Sequence, residues 1–195
     1  MTETTFAGLR LLGAPGRVMV ARPASEALVD AAAARIGDRR VRVADVGTGS
    51  GAIALALALR APRAEIWATD ISEDAVALTL ANARRLGVED RVRAVVGDLL
   101  EPIAPPLDLV VANLPYLPDR LADNPAYRKY AAEPADAIYA VGDGLDPYRR
   151  LAAQARTRLV PGGALVIQLH RRALEVEYDE LATLPRQLPE LARAA

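Results

Sequence analysis

The sequence of 195 residues is poor in the side chains that carry redox, metal and polyanion chemistry. It contains no cysteine, which excludes disulfides, thiol catalysis and cysteine-based metal sites. The only histidine, His170, and the only tryptophan, Trp67, are interpreted as structural residues, and no metal site is predicted. A net charge of −1 provides no overall basic field that would attract nucleic acid or an anionic membrane.

Segments that would direct the chain to a membrane or out of the cell are also missing. The first thirty residues show no basic-then-apolar signal pattern. No apolar stretch is long enough to span a bilayer. A cytoplasmic location is therefore expected.

Residues 41–59, which read VRVADVGTGSGAIALALAL, carry the main functional signal. A short β-type run, a glycine cluster and a helix-forming run follow one another, as in the opening unit of a nucleotide-binding α/β domain. The pattern GxxxxGK[ST] is absent, so the loop is not a P-loop. The DxGxGxG spacing resembles the first motif of class I S-adenosylmethionine (SAM) methyltransferases, the alternative being an ordinary glycine-rich turn. The resemblance implies that the cofactor is SAM and that the residues beside it are Asp45, Gly47, Thr48, Gly49 and Gly51.

Two further acidic residues follow the next two predicted strands. Asp70 lies about 20 residues beyond the glycines, where an acidic residue holds a ribose diol. A helix N-cap is the alternative for Asp70, although Ser72 is better placed for that role. Asp98 can accept a hydrogen bond from the adenine amino group and Leu99 can cover the ring, whereas the alternative for Asp98 is a turn residue.

Strands and helices alternate along the whole chain, which predicts a doubly wound, mainly parallel Rossmann-like sheet. We expect one domain with three segments, an N-terminal hairpin or lid with a helix (1–40), a cofactor-binding core (41–170) and a tail (171–195). The predicted strands are 41–46, 64–69, 91–96, 107–112 and 164–169.

The two ends of the chain carry weaker signals. Residues 1–5 are expected to fray, residues 9–21 to form the hairpin or lid, and Ser25 to cap the following helix. No strand is predicted in residues 171–195. The fifth strand would then have an open apolar edge, so we expect either a homodimer through that side or a tail helix across it.

The segment Asn113-Leu114-Pro115-Tyr116 follows the fourth strand and is the candidate catalytic site. An amide or aniline-type nitrogen is a poor nucleophile because its lone pair is delocalised. The Asn113 side-chain carbonyl and the Leu114 backbone carbonyl can accept its two hydrogens and aim the lone pair at the methyl group. Pro115 stiffens the backbone, and Tyr116 can clamp a planar group. A strand-end turn is the structural alternative.

The sequence between about residues 18 and 169 resembles the methyltransferases that modify the glutamine of the GGQ motif in peptide-chain release factors. The similar stretches are RPASE (like that family's RPxTE), DVGTGSGAIALALA, ATDIS, GDLL, ANLPYLP, EP, GDGLDPYRRL and LVPGGALVIQL. The resemblance implies that the three glycines line SAM, that Asp70 holds its ribose and that Asp98 and Leu99 border its adenine. It also implies that residues 113–116 bind the substrate amide and that a release factor is the protein partner.

Three departures from that family keep alternatives open. Leu114 stands where the family usually has proline, and NLPY also resembles the ribosomal-RNA adenine dimethyltransferases. We expect no helical docking domain before the core and no typical strand pair after it. The alternatives are therefore an adenine amino-group methyltransferase acting on RNA or DNA, and a degenerate SAM-binding partner subunit. A basic patch around Asn113 would favour nucleic acid.

Overall fold

The computed structural model describes residues 2–169 and 172–194, and its main element is a six-stranded sheet. The strands along the chain are β1 (Thr2–Phe6), β2 (Leu9–Gly13), β3 (Arg42–Val46), β4 (Glu65–Asp70), β5 (Val92–Val96), β6 (Leu107–Ala112), β7 (Leu117–Pro118), β8 (Tyr139–Ala140), β9 (Leu159–Leu169) and β10 (Arg172–Glu177). The helices are α1 (Glu26–Ile36), α2 (Ala52–Arg60), α3 (Glu73–Leu86), α4 (Asp146–Ala155) and α5 (Leu184–Ala194). Short 3-10 turns cover Pro23–Ser25, Asp119–Leu121, Pro125–Tyr130, Ala135–Ala137 and Tyr178–Glu180.

The sheet order is β10-β9-β6-β3-β4-β5, and all neighbours are parallel except β9 and β10. Successive residues of a strand point to opposite faces, so each strand contributes to two cores. On β3, Val43 faces the core under α1 and α2, whereas Ala44 and Val46 face the core under α4 and α5. This arrangement is the doubly wound α/β fold that the sequence predicted.

The parallel register brings the ends of four strands to one edge of the sheet. Val46 pairs with Thr69 and with Ala112, and Asp70 pairs with Val96. The loops after β3, β4, β5 and β6 therefore emerge side by side. Ligands of open α/β sheets bind at this carboxyl edge.

The N-terminal predictions were partly wrong. Residues 2–5 do not fray, because β1 pairs antiparallel with β2 in a hairpin whose turn is at residues 7–8. A hairpin within residues 9–21 is not formed, since only residues 9–13 of that range lie in a strand. The hairpin packs onto the body through Phe6 and Leu11, which are fully buried. Ser25 precedes α1 but its side chain does not cap the helix. Instead the Ser25 hydroxyl oxygen accepts from Asn113 Nδ2 at 3.1 Å.

The C-terminal predictions need a larger correction. Strand β10 pairs along the whole of Ala164–Leu169, so β9 has no open edge. A homodimer through the edge of β9 is therefore no longer expected. Leu174 and Val176 pack on the core while Glu175 and Glu177 are exposed, an alternation typical of a half-buried edge strand. Strand β9 also begins at Leu159, five residues before the predicted start at residue 164. None of the helices in the described part of the chain combines the length and the apolar character needed to cross a bilayer.

Candidate active site

A cavity of about 250 Å³ opens at the carboxyl edge of the sheet. Its floor comes from the loops after β3, β4, β5 and β6, and its rim from the N-terminal segment and the segment before β8. The residues that line the cavity include Val18, Ser25, Gly47, Thr48, Gly49, Asp70, Asp98, Leu99, Asn113, Leu114, Pro115, Asp136 and Arg150. The cavity therefore brings together most of the residues that the sequence predicted.

The glycine loop wraps the end of β3 in a conformation that requires glycine. The amides of Gly47 and Thr48 both donate to the carbonyl of Thr69, at 2.8 and 3.0 Å. Gly47 has φ +71°, and a Cβ on it would lie 2.7 Å from Cδ2 of Leu114. The backbone of this loop thus lines the cavity directly and contacts the loop after β6.

Gly51 does not line the cavity, in contrast to the prediction. It precedes α2 with φ +82°, and a Cβ there would lie 2.9 Å from the Thr79 side chain on α3. Gly51 therefore allows close packing of α2 against α3. Its contribution to the site is to place the start of α2.

Asp45 also lies behind the loop and does not line the cavity. Like Val43, it points from β3 towards α2, because residues two apart in a strand share a face. Its Oδ2 accepts from Thr48 Oγ1 at 2.7 Å and from the Ala54 amide at 3.1 Å. Burial raises the pKa of Asp45 to about 7, and its Oδ1 has no hydrogen-bond partner among the described residues. Asp45 therefore supports the loop from beneath, and the predicted direct contact with cofactor is not what this geometry provides.

Asp70 ends β4 with its carboxylate in the cavity wall. One oxygen accepts from the Gly49 amide at 2.9 Å and the other accepts from the Ser72 amide at 3.0 Å. Burial raises the pKa of Asp70. Ser72 caps α3 by accepting from the Ala75 amide at 3.3 Å, so Asp70 is not the N-cap. Its remaining lone pairs are available to the hydroxyl groups of a ligand.

Asp98 and Leu99 follow β5 and form the next part of the wall. Asp98 forms an ion pair with Arg150 of α4. Leu99 is buried with φ +51°, and its carbonyl accepts from Thr69 Oγ1 at 2.8 Å. This bond holds a left-handed residue that would otherwise be unfavourable, and it turns the apolar side chain to the cavity.

The loop after β6 closes the far side of the cavity with Asn113, Leu114 and Pro115. The Asn113 carboxamide donates from Nδ2 to Ser25 Oγ at 3.1 Å. Asn113 Oδ1 accepts no hydrogen bond from the described residues. The Leu114 side chain is buried against Gly47, so the cofactor loop and this loop are in contact.

Tyr148, which the sequence reasoning did not single out, holds this loop from below. Its hydroxyl is fully buried, accepts from the Leu114 amide at 3.0 Å and lies 2.7 Å from the Gln168 carbonyl. A phenol has one hydroxyl proton to donate, and the shorter distance indicates that Tyr148 donates it to the Gln168 carbonyl. The Leu114 carbonyl, 3.1 Å from the same hydroxyl, therefore keeps acceptor capacity.

Gly144 packs against the same loop at Tyr116, two residues after Leu114. A Cβ on Gly144 would lie 2.3 Å from the Tyr116 carbonyl oxygen. The segment GDGLDPYR, in which both Gly144 and Tyr148 lie, is thus the support of the NLPY segment. Only the similarity to the release-factor methyltransferases pointed to this segment, because its contacts with the NLPY segment span about thirty residues of sequence.

Tyr116, which was predicted to clamp the planar acceptor group, does not line the cavity. It is half-buried outside the cavity wall, and burial is the main cause that raises its phenol pKa, followed by the nearby Tyr130. Its side chain packs on the core under α4 and α5 and does not line the cavity. A stacking role on the acceptor group is therefore not supported by this arrangement.

The rim joins two segments that are distant in sequence. Glu133 accepts from Arg22 Nη2 at 2.8 Å and from the Val20 amide at 3.1 Å. Arg22 also lies over the Tyr130 ring, 4.9 Å from its centre. These contacts fix the segment that carries Ser25 to the segment that carries Asp136.

The charges around the cavity leave a negative excess. The lining arginines are both paired, Arg17 with Asp74 and Arg150 with Asp98. Asp70 and Asp136 have no such cation among the described residues, and their mutual repulsion contributes to the raised pKa of Asp70. The site thus favours a cationic ligand and provides no unpaired basic group for a phosphate.

A family model described as "Methyltransferase small domain" matches residues 21–143 of this chain. The chain belongs to this family. The match covers the glycine loop, Asp70, Asp98 and the segment after β6, and it places the chain among SAM-dependent methyltransferases. The predicted family and the predicted cofactor are therefore confirmed.

Curated relatives share more of the sequence. The release factor glutamine methyltransferase of Deinococcus radiodurans is 42% identical over 186 residues, covering 93% of this chain and 64% of the relative. That of Rhodospirillum rubrum is 43% identical over 149 residues, covering 75% of this chain and 45% of the relative. The chain thus spans about half to two thirds of the length of the curated relatives it matches.

Solved structures show the same fold at lower identity. A T. thermophilus 16S rRNA methyltransferase, solved with AdoMet and guanosine, has a TM-score of 0.60 at 22% identity and covers 85% of this chain and 40% of its own. A ribosomal protein L11 methylase from Lactobacillus delbrueckii has a TM-score of 0.57 at 21% identity, with coverages of 89% and 70%. These likenesses confirm the predicted class I methyltransferase fold.

Proposed function

We propose that this chain transfers a methyl group from SAM to the side-chain nitrogen of a glutamine, with a peptide-chain release factor as the protein substrate. The observation that carries the proposal is the position of Asn113. Asn113 and Leu114 line one cavity with the acidic wall that contains Asp70 and Asp136, and Asn113 Oδ1 accepts no hydrogen bond from the described residues. The names of the curated relatives and the quoted sequence resemblance support glutamine as the acceptor.

The residues present fit SAM. Asp70 would hold the ribose hydroxyls, the backbone of Gly47 to Gly49 would lie against the amino-acid part, and Asp98 and Leu99 would border the adenine. The negative excess of the cavity suits a cationic ligand, and the cavity needs no phosphate-binding group. When bound, SAM supplies an electrophilic methyl group on a positively charged sulfur.

Asn113 and Leu114 would act on the acceptor nitrogen. A glutamine amide has two N–H groups, and the loop offers two carbonyl oxygens to receive them. Holding both hydrogens fixes the amide plane and directs the lone pair along one axis. The new bond is N–C and the broken bond is C–S, while the extra proton on nitrogen passes to solvent. Catalysis is then positioning and electrostatics, without a general base.

Nucleic acid is a poorer substrate for this geometry. A polyanion is held by unpaired Lys and Arg. The arginines at the cavity mouth, Arg17, Arg22 and Arg150, are each paired with a carboxylate. A basic patch around Asn113, which would favour nucleic acid, is therefore not formed by these three arginines.

The experiment is methyl transfer from radiolabelled SAM in a cell extract and to a purified release factor. We expect the labelled product to be degraded by protease and to survive nuclease. Label sensitive to nuclease would favour the adenine amino-group alternative. SAM binding without transfer to any acceptor would favour a partner subunit. A cytoplasmic location belongs to the same proposal, since release factors act there.

A further inference from the structure

Asn113 must present a particular end of its side chain to the acceptor. A carboxamide has an acceptor end and a donor end of nearly equal size. If Nδ2 faced the acceptor, two donors would meet and the lone pair would lose its orientation. Shape alone does not distinguish the two ends, so a partner has to select one of them.

Ser25 lies beside the carboxamide, and in this structure its hydroxyl oxygen accepts from the donor end. Its Oγ lies 3.1 Å from Asn113 Nδ2, although the two residues are 88 positions apart. Ser25 is 4% exposed and lines the cavity. The hydroxyl precedes α1, where serine commonly caps a helix, yet it forms no capping bond. Its oxygen is therefore available to Asn113.

The segment around Ser25 is held at both ends. On one side, Arg22 bonds to Glu133 on the opposite rim. On the other side, Glu26 accepts from the amide of Ala7 in the hairpin turn at 3.1 Å. The Ser25 amide donates to the Arg22 carbonyl at 3.0 Å. This anchoring fixes the hydroxyl relative to the cavity.

We propose that Ser25 is a positioning residue that holds Nδ2 of Asn113, so that Oδ1 faces the methyl acceptor. The inference rests on the proposed function, because it assumes that Asn113 receives a hydrogen from the acceptor nitrogen. It extends that function by adding the segment before α1 to the catalytic arrangement. Ser25 itself touches neither reacting atom in this account.

The first arm of the test is kinetic. Ser25→Ala is expected to keep SAM affinity within about twofold and to lower the methyl-transfer rate about tenfold, the value of one hydrogen bond between neutral groups. Ser25→Thr retains the hydroxyl and should recover most of the rate. Thr157→Ala removes an exposed hydroxyl bonded to the Gln154 carbonyl far from the site and serves as the control for nonspecific effects. A wild-type rate for Ser25→Ala would overturn the proposal.

The second arm separates orientation from stability. In Asn113→Ala the carboxamide that Ser25 holds is absent, so the Ser25 hydroxyl has nothing left to orient. Adding Ser25→Ala to this variant should change its residual rate less than twofold. A tenfold loss there as well would show that Ser25 only stabilises the fold, and would overturn the proposal.

The third arm needs no activity. The side-chain amide resonances of Asn113, assigned by their absence in Asn113→Ala, should shift in Ser25→Ala and stay in place in Thr157→Ala. Unchanged resonances would overturn the inference. If wild-type protein fails to methylate a release factor while these resonances do shift, the proposed function fails and the Ser25 contact stands.

Discussion

Removing the hydroxyl of Tyr148 is expected to damage both stability and catalysis. The hydroxyl is fully buried and is the recorded partner of the Leu114 amide. In Tyr148→Phe that amide stays buried without a partner, which costs about 1–3 kcal/mol. The Gln168 carbonyl loses its 2.7 Å contact as well. We expect the free energy of unfolding to fall by about 1–3 kcal/mol.

The catalytic loss follows from the same contact. Leu114 and Asn113 are adjacent, and a misplacement of about 1 Å in a positioning group can cost about 10²-fold in rate. The transfer rate of Tyr148→Phe should therefore fall about 10- to 100-fold. SAM affinity should change less, because Tyr148 does not line the cavity.

The assay combines denaturant unfolding, SAM titration and single-turnover transfer on one preparation. Tyr178→Phe is the matched control, since Tyr178 packs on the same core and its hydroxyl forms no recorded hydrogen bond within the described residues. It should stay within about 0.5 kcal/mol of wild type. Wild-type stability and turnover in Tyr148→Phe would refute the role given to this hydroxyl.

Three further variants test the cofactor side of the cavity. Burial raises the pKa of Asp45 to about 7, so between about pH 4 and pH 7 the folded state binds one proton more than the unfolded state. The free energy of unfolding should therefore fall as the pH rises to 7, by at most about 1.4 kcal/mol per pH unit. Asp45→Asn should remove that slope in chemical denaturation, and an unchanged slope would contradict the assignment. Asp70→Asn should weaken SAM binding by about 1–3 kcal/mol in calorimetry, whereas unchanged affinity would mean that Asp70 only supports the loop. Gly47→Ala should destabilise the protein more than Gly87→Ala. Both glycines have positive φ, but only a Cβ at Gly47 would meet another atom, Cδ2 of Leu114. Equal losses of stability in the two variants would contradict the tight contact.

The core of the fold could be predicted because its signals are local. Helix α3 begins directly after Ser72, which caps it as predicted, and it ends at Gly87 with φ +67°. Strand β6 also has the predicted bounds. Strand β10 was missed because its alternation covers only a few residues and its stability comes from pairing with β9. Pairing of that kind is not visible in a local pattern.

Part of the site could be predicted because it lies at strand ends, which have local sequence signals. Strand ends identified Asp70, Asp98 and Asn113, because parallel strands bring their carboxyl ends together. Asp45, which was predicted beside the cofactor, does not line the cavity because the alternation of β3 turns it towards α2. Ser25 and Tyr148 act through bonds to residues 88 and 34 positions away, and no spacing rule predicts such contacts.

Mass spectrometry of a release factor after incubation with SAM tests the central claim most directly. The account predicts one added methyl group on the glutamine of the GGQ peptide, with the fragment ions assigning it to the side chain. Asn113→Ala should bind SAM within a few-fold of wild type and transfer about 10²–10³ times more slowly, the loss expected for one preorganised polar contact. A GGQ peptide that stays unmethylated, or wild-type turnover by Asn113→Ala, would contradict the account.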